Sequence, residues 1–106
     1  MAFIVIAHDG RDAEALQRRL DARPEHLRRV EPLAATGELV IGGAILDAPE
    51  GRMVGSALVV DLPDETAVRH WLAEDPYMKQ GVWRDLTILP FRVAPLPYRA
   101  LPSGGN

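Results

Sequence analysis

The chain has 106 residues, a formal net charge of −3 and no cysteine. That length favours one domain able to bury its own core, and the negative charge argues against a nucleic-acid binder that works by displacing counterions. Without cysteine there can be no disulfide, thiol nucleophile or thiolate zinc site, which fits a cytoplasmic protein.

Residues 3 to 7, Phe3-Ile4-Val5-Ile6-Ala7, are apolar and partly β-branched, and His8-Asp9-Gly10 closes the run. This predicts a buried strand followed by a turn. The run is too short for a signal peptide or a membrane span and has no basic leader. From Arg11 the period changes: Ala13, Leu16, Leu20, Leu27, Val30 and Ala34 recur as one stripe of an amphipathic helix, and Gly37 stops it. The stripe carries across Pro24, which leaves one kinked helix or two nearly coaxial pieces. Pro32 predicts a distortion near Arg28.

Leu39 to Ile45 reads as a second strand, with Gly42-Gly43 inside it marking a bulge or a close approach. The turn-rich segment 47–52 leads into a third strand, Met53 to Asp61, so that residues 39 to 61 form a hairpin. Pro63-Asp64-Glu65 opens a second helix with Ala67, Val68, Trp71 and Leu72 as its apolar stripe, and Glu74-Asp75-Pro76 breaks it. Tyr77 to Gln80 reads as a further helical turn. A fourth strand follows over Val82 to Val93, ending around Pro90. Residues 94–106, with Pro95, Pro97, Pro102 and Ser103-Gly104-Gly105, read as a proline-rich arm without its own core, leaving 1–93 as the folded domain.

The order is β-α-β-β-α-β, an α+β ferredoxin-like arrangement with a four-stranded antiparallel sheet. Two helices cover one face of such a sheet. Several strands are apolar on both faces, so the bare face predicts a symmetric homodimer.

His26 lies close to Val30 and Leu33 on the helical wheel, at the edge of the stripe and facing the sheet margin. It reads as a core-edge histidine bonded to a carbonyl, or as a general acid or base. The second role needs a carboxylate to orient the ring. Asp9 after the first strand and Asp75 after the second helix both qualify, although either is equally explained as a turn residue. Ser56, mid-strand on an apolar side, must find a hydrogen-bond partner, but nothing around it resembles a nucleophile elbow, which excludes a serine hydrolase. Tyr77 either presents its hydroxyl to a pocket or packs in the core. Trp71 reads as core, and Trp83 as a cap on the pocket or the dimer.

His8, His26 and His70 lack ligand spacing, so no metal is expected. Arg18-Arg19 and Arg28-Arg29 read as solvated helix faces. Neither Gly42-Gly43 nor Gly55 matches a phosphate or dinucleotide loop, because no helix follows.

The pieces Ile4-Val5-Ile6-Ala7-His8-Asp9, Arg23-Pro24-Glu25-His26-Leu27, Gly37-Glu38-Leu39, Gly42-Gly43-Ala44, Gly55-Ser56-Ala57 and Glu74-Asp75-Pro76-Tyr77 stand in one register. In that order the chain resembles the YCII-related (YciI-like) family over about residues 2 to 93. The resemblance implies a ferredoxin-like fold that dimerises into an α/β barrel, with a histidine–aspartate centred site. Carried over by position, His26, Asp75 and Asp9 would be its catalytic groups, and Ser56, Tyr77 and Arg23 would bind substrate. The family includes a dehydrochlorinase acting on a chlorinated hydroxyhydroquinone, and more distant barrels include muconolactone isomerase. The expectation is a cofactor-independent lyase- or isomerase-type enzyme acting on a small cyclic or aromatic molecule, with no nucleic-acid or membrane partner. The alternative is a non-catalytic module that binds a small ligand. This chain departs from the family in its short 46–53 loop and its proline-rich tail.

Overall fold

The computed structural model describes residues 1–99, and its first element forms where the β-branched run predicts one. Strand β1 spans Ala2–Asp9, helix α1 Ala15–Thr36, β2 Leu39–Leu46, β3 Met53–Asp61, α2 Glu65–Ala73, α3 Pro76–Lys79 and β4 Trp83–Phe91. The strands form one antiparallel sheet in the order β2-β3-β1-β4. This is the ferredoxin-like arrangement. Residues 94–99 lie outside helix and strand, and the rest of the expected arm, including Pro102 and Ser103-Gly104-Gly105, lies outside the described residues.

Alternation along the strands separates two faces. Phe3, Val5, Ala7 and Asp9 of β1 are buried under the helices with Ser56, Leu58 and Val60 of β3. The opposite face carries a row of four apolar side chains, Ile41–Val59–Ile4–Leu89, one from each strand. Ile41 and Leu89 are about half exposed.

Strand β1 runs through His8 and Asp9, which the turn chemistry of Asp9-Gly10 had assigned to a turn. Asp9 pairs across to Trp83 of β4, after a register irregularity between His8 and Asp9. Gly42-Gly43 interrupts nothing: the irregularities of the β2–β3 ladder lie on either side of it. Close approach accounts for Gly42, since a Cβ there would stand 2.7 Å from Leu58 Cδ2.

Helix α1 continues through Pro24 and Pro32 as one helix, not two coaxial pieces. Each proline leaves the carbonyl four residues earlier without its helical partner. Those carbonyls belong to Leu20 and Arg28, and all four residues are exposed, so water can satisfy what the prolines remove. Gly37 ends the helix at φ +87, its N–H donating to the Ala34 carbonyl. The inward stripe is rotated from the one the leucines suggested. Ala15, Arg19, Ala22, His26 and Val30 face the sheet, whereas Leu20 and Leu27 are each 44% exposed. Helix α2 is capped by Asp64, whose side chain accepts from the Ala67 N–H.

Candidate active site

Asp75 begins α3 as its N-cap, with Pro76 at the first helical position, and accepts from the Tyr77 N–H at 2.9 Å. Its expected turn role is therefore real, and it coexists with a second one. The carboxylate is fully buried. It lies 2.8 and 3.0 Å from His26 Nδ1 and accepts from Arg29 Nη1 at 3.0 Å. The carboxylate can only accept, so Nδ1 of His26 is the nitrogen that donates to it, and this tautomer places the ring's free lone pair on Nε2. Among the described residues Nε2 makes no hydrogen bond.

Arg29 also donates to the Trp71 carbonyl at 2.6 Å and lies over the Trp71 ring. Of the expected solvated arginines, Arg29 and Arg19 are thus both engaged. Arg18 pairs with Asp12 near the surface, and that guanidinium holds the Asp12 carboxyl well below the usual carboxylate range. Arg19 is 3% exposed. Its Nη1 donates to both oxygens of Asp9, at 2.9 and 3.0 Å, and its Nη2 donates to Ser56 Oγ at 2.8 Å. Asp9, the other carboxylate considered for His26, is therefore held by Arg19, and Asp75 is the one that meets the imidazole.

Aromatic rings join these two polar groups. The His26 ring stacks on Tyr77 with centroids 4.0 Å apart and planes 14° from parallel, and it meets the edge of Trp83 at 5.8 Å. Arg19 stands over the Tyr77 ring at 4.7 Å. Trp83 Nε1 donates to Ser56 Oγ at 3.1 Å. Tyr77 is buried, and that burial pushes its hydroxyl above its ordinary ionisation range, against the pull of Arg19 and Arg23.

His26, Ser56, Tyr77 and Arg19 line a cavity of about 210 Å³, closed on its other sides by Val30, Leu58 and the backbone at Gly42-Gly43. Exposed Arg23 and Leu27 stand at its rim. Three larger hollows, of about 400, 600 and 280 Å³, are more open. The first borders the already paired Asp9 and Asp12, and the second the apolar end of the sheet near Phe91 and Val93. Of these four, the 210 Å³ cavity alone is bordered, among the described residues, by a histidine held by a buried acid. Among the described residues no group of three or more His, Asp or Glu could hold a metal ion, and no helix is long and apolar enough to cross a membrane.

All six residues singled out from the sequence fall in this region. Arg19, Arg29 and Trp83 complete it. The arginines were missed because adjacent charged pairs on a helix are usually solvated. The available signal was the 15, 19, 22, 26, 30 spacing, as regular as the leucine stripe.

The YCII-related domain family matches residues 1–92. An uncharacterised protein of Haemophilus influenzae is 32% identical over 97 residues, covering 87% of this chain and 97% of its own. The protein YciI of Escherichia coli is 29% identical over the same shares. Among solved structures, a 5-chloro-2-hydroxyhydroquinone dehydrochlorinase from Burkholderia phenoliruptrix, in complex with 2,5-dihydroxybenzoquinone, superposes with a TM-score of 0.77 at 28% identity. That match covers 87% of this chain and 94% of that one.

Proposed function

The chain belongs to the YCII-related domain family, and from that premise we propose that it is an enzyme that moves a proton on a small, single-ring or otherwise cyclic substrate without a cofactor. The observation that carries this reading is the 2.8 Å contact between His26 Nδ1 and a fully buried Asp75, with the same ring bordering the cavity. In this mechanism Nε2 of His26 takes a proton from the substrate, and Asp75 stabilises the imidazolium that forms. The imidazolium then returns that proton to another substrate atom in an isomerisation. In an elimination the electron pair left by the proton forms a double bond and expels a leaving group. Tyr77 and Arg23 would face the negative charge that develops on the substrate. The cavity volume supports a single ring, since a dry cavity of roughly 150 Å³ suffices for benzene. The dehydrochlorinase relative, crystallised with a dihydroxybenzoquinone, supports the same substrate class.

The working unit in this proposal is a homodimer of the 1–93 domain, closed through the bare face that carries Ile41, Val59, Ile4 and Leu89.

The test is a turnover screen of chlorinated hydroquinones and small lactones, with 2,5-dihydroxybenzoquinone as a binding probe, on the wild type and on His26→Ala. Turnover that vanishes in the variant while its melting curve stays in place supports the reading. A probe that binds wild type and variant alike, with no turnover of any compound, replaces it with a ligand-binding module.

A further inference from the structure

Ser56 is more constrained than a buried serine usually is. Its Oγ receives two hydrogen bonds, one from Arg19 Nη2 at 2.8 Å and one from Trp83 Nε1 at 3.1 Å. Guanidinium and indole nitrogens can only donate, so both lone pairs of the hydroxyl oxygen are occupied. What remains is the hydroxyl hydrogen. Among the described residues no acceptor takes it, although Ser56 is 2% exposed and borders the cavity beside His26. Arg19 is itself fixed, because its other terminal nitrogen grips both oxygens of Asp9 and its plane lies over Tyr77.

We infer that Arg19 and Trp83 are positioning residues that make Ser56 an obligate donor into the cavity, so that the site selects ring compounds presenting an oxygen acceptor there, such as a phenol, phenolate or enolate oxygen. This rests on reading the cavity as a ligand site and goes beyond that reading by naming the group it recognises. With both lone pairs occupied the oxygen is a poor nucleophile and a poor base. A buried donor left without an acceptor penalises any ligand that puts a methyl group in its place.

The experiment measures dissociation constants by calorimetry for 4-chlorophenol and 4-chlorotoluene, which differ in oxygen against methyl. The proteins are the wild type, Ser56→Ala, Trp83→Phe and Arg19→Lys, each checked by its melting curve. Trp83→Phe keeps an aromatic side chain but removes the N–H together with the second ring, and it tests the lock where Arg19→Lys fails to fold. The wild type should prefer the phenol by about ten- to a hundredfold. Ser56→Ala should abolish that preference, and Trp83→Phe should reduce it severalfold, because a freed lone pair lets the hydroxyl turn away. Equal wild-type affinities would overturn the inference while leaving a ring-binding cavity intact. Loss of preference in Ser56→Ala with full preference in both Trp83→Phe and Arg19→Lys would overturn the lock. No binding of either compound would remove the cavity reading as well.

Discussion

Replacing Asp75 by asparagine tests the centre of the site most directly. The native carboxylate faces three donors. Oδ1 accepts from the Tyr77 N–H and from His26, and Oδ2 accepts from Arg29 Nη1 and lies 3.0 Å from His26 Nδ1. An amide of the same size supplies one acceptor and one donor, so each of its two orientations sets an N–H against another N–H. The Tyr77 N–H is fixed backbone, while Arg29 is 24% exposed at its side chain and can turn towards water. The amide nitrogen therefore takes the Oδ2 position and Arg29 is displaced. A hydrogen bond to a charged group contributes about 1.5–3 kcal/mol, so Asp75→Asn should lower stability by roughly 2–3 kcal/mol. Asp75→Ala also loses the N-cap, about 1 kcal/mol, and leaves His26 Nδ1–H unpaired, for a total of roughly 4–5 kcal/mol. Urea unfolding followed by circular dichroism reads both values. The donor conflict has a signature of its own: combining Asp75→Asn with Arg29→Met should cost less than the sum of the two single changes. Strict additivity, or an Asp75→Asn midpoint indistinguishable from wild type, would refute the three-donor account.

Three other outcomes follow from the same geometry. Burial raises the Tyr77 hydroxyl above its ordinary value of 10.0, so its stabilising contribution is complete below that value and is lost as pH rises through the folded one. The alkaline decline in urea midpoint should accordingly be shallower in Tyr77→Phe. At Gly55 a Cβ would land on the Ala7 carbonyl oxygen, whereas at Gly42 it would crowd the end of the Leu58 side chain and touch Leu39 at ordinary contact distance. Gly55→Ala should therefore destabilise by more than Gly42→Ala, with the latter near the usual 1–3 kcal/mol of overpacking, and thermal melts rank them. If the bare sheet face closes a dimer, wild type should sediment as one and Val59→Glu, in the middle of the apolar row, as a monomer at micromolar concentration.

Architecture was readable where one signal had no competitor. The β-branched runs, the Gly37 stop and the Asp64 cap place the strands and the ends of both long helices to within a few residues. The face of α1 was harder, because two stripes of equal regularity compete on it. Leucines outweigh alanines in any hydrophobic count, which assigns Leu16, Leu20 and Leu27 to the inward face. Close packing of the helix on the sheet instead favours the small Ala15 and Ala22. That rotation carries Arg19 inside with them. Sequence can present Asp9 and Asp75 as equal candidates for His26, but it cannot say that Arg19 will occupy one of them. That choice is made by the sheet register, which sets Asp9 opposite Trp83 and two residues along the strand from Ala7, itself the partner of Ser56.

The placement of the two buried ion pairs is better accounted for by the proposed site than by stability. Arg19 and Asp9 each have side chains only 3% exposed, and Asp75 beside Arg29 is fully buried. Desolvating such groups costs several kcal/mol per ion before their attraction returns anything, and apolar replacements of similar volume are often neutral or stabilising. A chain of this size has little surplus stability to spend on them. Both pairs end on groups that border one small cavity, Arg19 on Ser56 and Asp75 on His26. A purely structural need for charge would not direct both pairs to the same cavity. Orienting a hydroxyl hydrogen on one wall and an imidazole lone pair on another would, because each requires a fixed partner behind it, shielded from water.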